Sequence, residues 1–354
     1  MEEEMKITKK KTGKKMKIVI SIFSVLLLLI ITIITIGSFY INDKLAKINY
    51  VELDQNKIQV NPEVLVKADA LETYRTIALF GIDARENTYD KGNRSDCIIL
   101  AILNEKTKEV SLVSVYRDTY LKMTDMYLDK VTHAYSYGGP ELAISTLNTN
   151  LDLDIKEFVT VNFDVVVEAV DALGGIELDI TEEETKYING YIGEINHVTK
   201  HSSPNITIVG KQQVDGVQAL AYSRIRYTAG GDYKRTERMR TVIEKMLQKA
   251  KGLSVAELNK IVDILLPKTY TNIEAQEILA MMPELATYKM KHNIGWPYET
   301  KGAMINGIWY GPPITLESNV TRLHKEVYGQ EDYEPSKAVK QISDEIIQKT
   351  GYTK

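Results

Sequence analysis

The segment FVTVNFDVVVEAVDALGGIELDI, residues 158–180, contains a strand, a helix and a second strand in direct succession. Residues 158–162 are rich in the β-branched and aromatic side chains that favour strands. Residues 164–173 have helical character and end at Gly174-Gly175, a common helix stop. A second β-rich run follows at 176–180. Such an alternation predicts an α/β fold, with helices on both faces of a sheet.

The sequence on either side extends this pattern. Further strands are predicted at 76–82, 97–103 and 110–115, and a helix at 140–148. Later helices are predicted to begin at Asp215, Arg235, Ser254 and Asn272. Residues 181–210 are polar and rich in turn residues, so they are predicted to form a long loop that acts as a flap. The aromatic and glycine-rich run at 295–313 is predicted to be a loop or β-hairpin.

The N-terminal region predicts a membrane anchor. Residues 18–41 carry no charge and exceed the roughly 20 apolar residues that span a bilayer as a helix. Six lysines lie between positions 9 and 17, so the tail 1–17 is expected in the cytoplasm and the rest of the chain outside the cell. A cleaved signal peptide is the alternative, but its apolar core is normally about 7–15 residues with a small-residue cleavage site.

Composition limits the remaining function classes. The net charge of −4 gives no indication of nucleic-acid binding, and the single cysteine, Cys97, excludes an internal disulfide. Residues 42–72 are predicted to be a stalk or lead-in that can also form a strand or helix on the main domain. That domain is predicted at 73–310, with a peripheral segment at 311–354.

One basic stretch contrasts with this acidic background, AYSRIRYTAGGDYKRTERMR at residues 221–240. Arg224 and Arg226 would point to one side of an extended backbone, and Arg235 and Arg238 would share one face of a helix. Guanidinium groups that converge in this way bind phosphate oxygens in bidentate fashion. The stretch therefore predicts a polyanion site, with a solvated basic helix as the alternative.

Two aspartates lie where predicted strands end or begin. Asp83 follows the first predicted strand, and Asp96 precedes the second. Ligands of open α/β sheets bind at the carboxyl ends of strands, and a pair of carboxylates there suits a hard divalent cation. Turn formation is the alternative role. Arg94 and the pair Arg117-Asp118 adjoin strand ends in the same way, as a site element or a loop salt bridge.

Seven segments in order resemble the motifs of the LytR-CpsA-Psr family. They are GIDAR…NRSD, SVYRD, DKVTHAYSYGG, FVTVNFD, VDALGGIEL, DGVQALAYSRIRY and GDYKRTERMR, between residues 75 and 250. The resemblance implies a mixed central β-sheet flanked by helices on both faces and one N-terminal transmembrane helix. It also implies a membrane-anchored phosphotransferase of the Gram-positive envelope that moves an anionic glycopolymer from a polyprenyl-pyrophosphate carrier to peptidoglycan N-acetylmuramic acid. The polymer would be a teichoic acid, a capsular polysaccharide or a related glycan.

The resemblance also assigns roles to residues. Asp83 and Asp96 match the ligands of Mg²⁺, with Mn²⁺ as the alternative ion. The pyrophosphate-binding set, with Asp232 as the acidic residue beside it, comprises Arg94, Arg117, Lys130, Arg224, Arg226, Arg235 and Arg238. Arg240, which follows the last matched position of this motif, is expected at the surface. The sequence departs from the family's pattern at Tyr116, Thr132 and Met239, where proline, asparagine and glutamine are usual.

These residues predict a direct phosphoryl transfer. The acceptor hydroxyl would attack the glycan-proximal phosphorus with Asp118 or Asp232 as the base, while arginines and the metal neutralise charge. Apolar residues of 140–148 and 164–173 would line a slot for the polyprenyl chain, their alternative role being core. The other functions considered are a polyprenyl-pyrophosphate hydrolase and a non-enzymatic membrane-tethered glycan-binding or regulatory protein.

Overall fold

The computed structural model describes residues 49–66, 71–84, 89 and 91–353. Their strands are β1 Asn49–Tyr50, β2 Tyr74–Ile82, β3 Ser95–Asn104, β4 Glu109–Val115, β5 Tyr120–Lys122, β6 Leu128–Lys130, β7 Glu157–Val161, β8 Ile176–Ile180, β9 Gly210–Val214, β10 Tyr270–Thr271, β11 Lys289–Trp296, β12 Ala303–Ile305 and β13 Ile308–Tyr310. Their α-helices are α1 Pro62–Val66, α2 Thr132–Leu151, α3 Phe163–Ala172, α4 Glu182–Thr199, α5 Gly216–Arg224, α6 Gly231–Ala250, α7 Val255–Leu265, α8 Ala275–Met281, α9 Leu316–Tyr328 and α10 Lys337–Thr350.

A seven-stranded mixed sheet is the centre of the fold, in the order β1-β10-β7-β2-β3-β4-β11. Strands β2 and β3, and β3 and β4, pair antiparallel, while β7 lies parallel to β2 and β11 parallel to β4. Strands β2, β4, β7 and β11 therefore run in the same direction. The predicted mixed α/β architecture is confirmed. The sheet also contains β11, which lies partly within the stretch predicted as a loop or hairpin.

The described residues form two large hydrophobic cores and a small third one around Leu173, Ala250 and Leu258. The larger one combines one face of the central strands, including Phe80 and Leu100, with helices α2, α9 and α10. The second lies among α3, α4, α5 and the β8–β9 strand pair, with Ile188 and Val217 among its members. Helix α6 packs against β3, β4 and β11 and carries the second half of the basic stretch. The central strands, at whose ends the candidate site residues lie, are thus covered by helices on both faces of the sheet.

The prediction of a loop over residues 181–210 is wrong for its first two thirds. Helix α4 begins at a capping box, in which Thr181 and Glu184 exchange side-chain-to-backbone hydrogen bonds. Its apolar residues Ile188, Ile192 and Ile195 recur at helical spacing and are buried. Only three apolar positions anchor this polar helix, so its periodicity is weak in the sequence.

The chain's two flanking segments also belong to the folded domain. In the lead-in, β1 pairs with β10, and Leu53 and Ile58 lie in the larger core. The C-terminal segment predicted as peripheral contributes core residues such as Leu323 and Val339 from α9 and α10. Each of these helices is strongly amphipathic, so its apolar face requires a buried partner surface. Residues 311–353 therefore belong to the folded domain rather than to an appendage.

Truncating a core residue of the C-terminal segment tests this correction. Leu323→Ala is expected to lower the free energy of unfolding by about 2–5 kcal/mol, because Leu323 is fully buried in the larger core. Val255→Ala is the matched control, since Val255 is half exposed at the start of α7. It should change stability by less than about 0.5 kcal/mol. Equal midpoints of urea unfolding for the two variants would show that the C-terminal segment is peripheral to the core.

The predicted membrane anchor, residues 18–41, and the tail 1–17 lie outside the described residues. Within the part of the chain that the structure describes, no helix combines the length and apolar character needed to cross a bilayer.

Candidate active site

A cluster of arginines and aspartates lies at the edge of the sheet where β2 and β4 end. Arg117 and Asp118 follow β4 after a single tyrosine, and Asp83 follows β2 directly. Asp96 is the second residue of the antiparallel strand β3, whose start lies at the same edge. This position matches the general rule that ligands of open α/β sheets bind beyond the carboxyl ends of the strands.

The pairing of β2 with β3 shifts its register at Asp96. Gly81 pairs with Cys97, but the next residue, Ile82, pairs with Ser95. Asp96 is therefore the extra residue of a β-bulge, an irregularity that re-aims side chains and is common beside active sites. The same pairing puts Asp83 and Arg94 immediately beyond the last pair, and both are exposed. The two predicted metal ligands thus lie at one end of the β2–β3 pair.

Arg117 is the centre of the charged cluster. Its Nη1 donates to Asp96 Oδ1 at 2.9 Å. Its Nε lies 3.4 Å from Asp118 Oδ2 and 3.8 Å from Asp232 Oδ1. One guanidinium group therefore connects residues from β3, from the end of β4 and from the first turn of α6.

The second part of the cluster comes from the basic stretch. Arg235 is almost fully buried, and its Nη2 lies 3.2 Å from Asp232 Oδ1 and donates to the Asp96 carbonyl oxygen at 3.3 Å. Arg226 Nη2 lies 3.7 Å from Asp96 Oδ2, and its Nε lies 4.0 Å from Asp232 Oδ1. Three guanidinium groups thus surround the Asp232 carboxylate, and Arg117 and Arg226 also contact the carboxylate of Asp96.

Lys130 extends the cluster on its other side. Its Nζ lies 2.7 Å from Asp118 Oδ1, and its position in the β5–β6 hairpin is fixed by pairing with Tyr120. Asp118 is therefore shared between Lys130 and Arg117. The structure thus brings together four of the predicted cationic residues, Arg117, Lys130, Arg226 and Arg235, with Asp96, Asp118 and Asp232.

The electrostatics of the cluster favour an anion. Burial opposes the charge of Arg117, but Asp96, Asp118 and Asp232 outweigh this effect and raise the pKa of its guanidinium group. Burial dominates at Arg235 and lowers its pKa, and the charges of Arg226 and Arg117 act in the same direction. The buried Nε–H groups of Arg117 and Arg235 have no hydrogen-bond partner among the described residues. Buried donors normally have partners, so this pair indicates a missing acceptor.

Arg238 has a different environment from the one predicted. Its three nitrogens donate to Glu184 Oε1 at 2.7 Å, to the Ile225 carbonyl oxygen at 3.1 Å and to Thr228 Oγ1 at 2.7 Å. It is almost fully buried, and its donors are occupied by Glu184 of α4 and by the loop between α5 and α6. Arg238 therefore positions the loop that carries Arg226. Glu184, which sequence reasoning missed, is signalled only by the T-x-x-E capping box of α4.

Arg224 also lies apart from the central cluster. It is the last residue of α5 rather than part of a strand, so it does not point with Arg226 as predicted. Its Nη2 lies 3.0 Å from Glu194 Oε1, and its guanidinium group stacks over the ring of Phe163 at 4.9 Å. Arg224 and Arg226 do not share one extended strand, because Arg224 ends helix α5 and Arg226 lies in the loop that follows it.

The surface position predicted for Arg240 is wrong. Arg240 is buried between α6 and the sheet, where its Nε donates to Asn293 Oδ1 at 2.6 Å. Burial lowers the pKa of its guanidinium group. Its partner Asn293 lies in β11, the strand that sequence reasoning did not find, so the burial of Arg240 could not be read from the helix alone.

The three departures from the family pattern have defined contacts or positions. Tyr116 packs edge-on against Tyr233 with ring centroids 4.6 Å apart, and the Oγ1 of Thr132 donates to the Ser95 carbonyl oxygen at 2.9 Å. A Cβ at Gly295 would lie 2.0 Å from the Tyr116 hydroxyl oxygen, so the tyrosine requires glycine at that position. Met239 is half-buried in α6.

The carboxylates available for a metal ion are few. In residues 49–66, 71–84, 89 and 91–353, no group of three or more histidine, cysteine, aspartate or glutamate side chains is arranged to hold one. Asp83 and Asp96 supply two carboxylates at one strand end. This number matches Mg²⁺ sites that complete their coordination with water and substrate phosphate oxygens.

Comparison with known proteins identifies relatives over most of the chain. The model of the LytR_cpsA_psr family matches residues 35–325. A polyisoprenyl-teichoic acid–peptidoglycan teichoic acid transferase, TagU, from Enterococcus faecalis is 30% identical over 90% of this chain and 98% of its own length. The TagU protein of Bacillus subtilis is 31% identical over 66% of this chain and 71% of its own length.

Solved structures share the fold. The structure of protein gbs0355 from Streptococcus agalactiae has a TM-score of 0.62 and 26% identity, over 78% of this chain and 93% of its own. The structure described as TagT bound to LIIa-WTA has a TM-score of 0.59 and 22% identity, over 85% of this chain and all of its own.

Proposed function

The chain belongs to the LytR-CpsA-Psr family, and from this membership and the site geometry we propose that it transfers an anionic glycopolymer from a polyprenyl-pyrophosphate carrier to peptidoglycan. The curated relatives named above are teichoic acid transferases, so a teichoic acid is the reference donor polymer. Capsular and related glycans belong to the same chemical class of substrate. The acceptor group is the C6 hydroxyl of N-acetylmuramic acid.

One observation carries this proposal. Arg117 and Arg235 each present a buried Nε–H without a partner among the described residues, and both guanidinium groups lie within 4 Å of the same carboxylate, Asp232. A pyrophosphate has several oxygens that can accept from both groups at once. Arg226, which is less buried than either, adds a third guanidinium group on the open side of the cluster.

The donor set also fits Mg²⁺ as the proposed cofactor, with Mn²⁺ as the alternative. Asp83 is exposed and contributes an accessible carboxylate, and Asp96 is presented by the bulge. These two residues would hold the ion, which would supply positive charge next to the phosphate oxygens. Asp96 also accepts from Arg117, so one carboxylate links the predicted metal ligands to the arginine cluster.

The chain's own residues account for the phosphoryl transfer. The acceptor oxygen forms a bond to the glycan-proximal phosphorus, and the bond from that phosphorus to the bridging oxygen breaks. Polyprenyl monophosphate leaves, and the hydroxyl proton passes to a base. Arg117, Arg226 and Arg235 stabilise the negative charge that develops on the transferred and leaving phosphates.

The geometry favours Asp118 over Asp232 as the base. Asp232 Oδ1 lies within 4.0 Å of three guanidinium groups, a position that suits it to orienting these arginines. Asp118 has a single close partner, Lys130 Nζ at 2.7 Å, and a longer contact with Arg117. Lys130 would then hold Asp118 in position and bind substrate phosphate with its remaining donors.

Asp118→Asn tests this assignment. The substitution keeps the shape of the side chain and removes its ability to take a proton, so kcat for transfer should fall about 100-fold or more. Affinity for the lipid-pyrophosphate donor should change by less than threefold. An Asp232→Asn protein with the larger loss of kcat and intact donor binding would reverse the two roles.

Half-buried apolar residues on the sheet face opposite the larger core support binding of the polyprenyl chain. Side chains alternate along β2 and β3, and those facing the larger core are fully buried. On the opposite face Leu79, Ala101 and Leu103 are only half-buried, although they lie on central strands. The half-buried Phe163 and Val166 of α3 belong to the helical layer on that side of the domain. Residues 140–148, also predicted for this slot, instead fill the larger core through side chains such as Ile144.

We place the enzyme at the cell membrane, with the N-terminal tail in the cytoplasm and the catalytic domain outside. The charge-free run at 18–41 and the lysines before it support this topology. Tethering at the membrane would raise the effective concentration of a lipid-borne donor.

A transfer assay separates this function from its two alternatives. The full chain in detergent is incubated with a lipid-pyrophosphate glycan, with and without peptidoglycan, in Mg²⁺ or in a chelator. A transferase releases polyprenyl phosphate only when both acceptor and metal are present. Equal release without peptidoglycan would establish a hydrolase, and binding of the donor without any release would establish a glycan-binding protein.

A further inference from the structure

An exposed tryptophan lies on a hairpin at the margin of the site. Strands β12 and β13 form a two-stranded hairpin whose turn, Asn306-Gly307, has positive φ at both residues, as a type I′ turn requires. Trp309 is 43% exposed. A Cβ on Gly302 would lie 2.7 Å from Trp309 Nε1, so the indole packs directly against the backbone of that glycine. The ring is a partly exposed apolar surface with one part against the backbone.

The hairpin is attached to the catalytic loop. Gly311, directly after β13, donates its backbone N–H to the Asp118 carbonyl oxygen at 2.9 Å. Lys130 Nζ lies 5.9 Å from the centre of the Trp309 ring while it contacts Asp118 Oδ1 at 2.7 Å. The indole is therefore one side chain away from the proposed base, on the side of Asp118 that carries Lys130.

Two exposed tyrosines lie at the β5–β6 hairpin that carries Lys130. Tyr137 donates to Asp129 Oδ2 at 2.8 Å, and the buried Tyr310 donates to the other oxygen of the same carboxylate at 3.4 Å. The rings of Tyr137 and Tyr127 pack edge-to-face with centroids 6.4 Å apart, and both are more than 40% exposed. Asp129 thus ties these aromatic residues to the strand that carries Trp309. We name Tyr127, Tyr137 and Trp309 the aromatic rim.

The chemistry of this rim suits a carbohydrate. Pyranose rings present C–H groups on one face, which pack against aromatic rings, and hydroxyl groups at their edges, which need polar partners. Lys130 and Asp118 provide such partners beside Trp309. A lipid chain would instead require an enclosed apolar surface, and these rings are open and flanked by charges.

We propose that the aromatic rim, centred on Trp309, is the subsite that binds the acceptor glycan strand. The inference rests on the proposed function and assigns the two substrates to opposite sides of Asp118. The arginine cluster holds the donor pyrophosphate, and the rim holds the sugar chain whose hydroxyl group attacks. An attacking oxygen delivered from the rim passes Asp118 before it reaches the phosphorus.

Acceptor kinetics of the full-length chain provide the first test. Trp309→Ala should raise the apparent KM for a soluble oligosaccharide of alternating N-acetylglucosamine and N-acetylmuramic acid about five- to tenfold, the loss of one aromatic contact. The KM for the lipid-pyrophosphate donor should stay within twofold. Trp309→Phe, which keeps a flat ring, should recover most of the acceptor affinity. Tyr50→Ala is the control, because Tyr50 is an aromatic residue of similar exposure on the far edge strand β1. Its two KM values should equal those of the wild-type protein.

Tryptophan fluorescence provides a second readout that does not depend on turnover. The chain has two tryptophans, and Trp296 is fully buried, so iodide quenching reports on Trp309. The oligosaccharide alone should protect Trp309 from iodide. An unchanged acceptor KM in Trp309→Ala, with normal transfer by the unchanged protein, would overturn the subsite. If the unchanged protein transfers nothing, the proposed function fails instead, and the iodide experiment alone then decides whether Trp309 binds the glycan.

Discussion

Replacing Arg117 by alanine is expected to reduce the rate of glycopolymer transfer about 100- to 1000-fold, as loss of one preorganised donor does in other enzymes. Arg117 is the residue through which Asp96, Asp118 and Asp232 are connected. Its removal would deprive the transition state of a guanidinium group and leave three carboxylates in mutual repulsion. Single-turnover rates with a lipid-pyrophosphate donor at saturating peptidoglycan would measure the effect.

Two further variants define what the guanidinium group contributes. Arg117→Lys keeps the charge but loses the forked donor geometry, so an intermediate rate is expected. Arg322→Ala is the matched control, because Arg322 is half exposed on α9 and pairs with Glu326. Its rate should equal that of the unchanged protein. A near-normal rate for Arg117→Ala would remove the arginine cluster from the mechanism.

Replacing Asp96 by asparagine is expected to reduce transfer by about 100-fold or more and to weaken the response to Mg²⁺. Asparagine retains an oxygen that can accept from Arg117, so the cluster should keep its shape. It removes a negative charge that the proposed cation requires. A Mg²⁺ titration of the transfer rate separates these effects, because weaker metal binding moves the midpoint to higher concentration.

The control for this substitution is Asp344→Asn, which changes an exposed carboxylate on α10. It should leave both the rate and the Mg²⁺ midpoint unchanged. Retention of the original midpoint by Asp96→Asn, with a lowered rate, would show that Asp96 acts on the arginines alone. The metal assignment would then be wrong for this residue.

The part of the site that sequence predicted best is the part encoded by short segments. The strand–turn junctions at Asp83, Asp96 and Arg117-Asp118 follow from local patterns of β-rich runs and charged ends. The helix that carries Arg235 was equally visible, although it begins at Gly231 rather than at Arg235 and so also carries Asp232. The bulge at Asp96 was not, since it depends on the pairing of β3 with β2 rather than on either strand.

The errors arose where the environment of a residue depends on distant segments. Arg238 was assigned to the ligand, but its donors are taken by Glu184 on a helix that had been predicted as a loop. Arg240 was placed at the surface from its position in the motif alone, and the strand that covers it, β11, was not recognised. Both arginines lie on one helix whose cations look alike in the sequence. Tertiary partners alone distinguish them.

The C-terminal segment shows the same limit. Helix α9 was not predicted, and nothing local indicated which surface the apolar faces of α9 and α10 cover, the larger core on one face of the sheet. The hairpin with Trp309 was anticipated as a loop or hairpin, and its link to Asp118 was not. The hydrogen bond from Gly311 to Asp118 joins positions nearly two hundred residues apart.

The product of the reaction is the most direct test of the central claim, that this chain joins a lipid-borne glycopolymer to peptidoglycan. The full chain would be incubated with Mg²⁺, a lipid-pyrophosphate glycan and peptidoglycan, and the products analysed by mass spectrometry after muramidase digestion. The account predicts a phosphodiester between the glycopolymer and N-acetylmuramic acid, formed in equal amount with polyprenyl monophosphate. Polyprenyl monophosphate accompanied by free glycan phosphate, with no modified muramic acid, would contradict it.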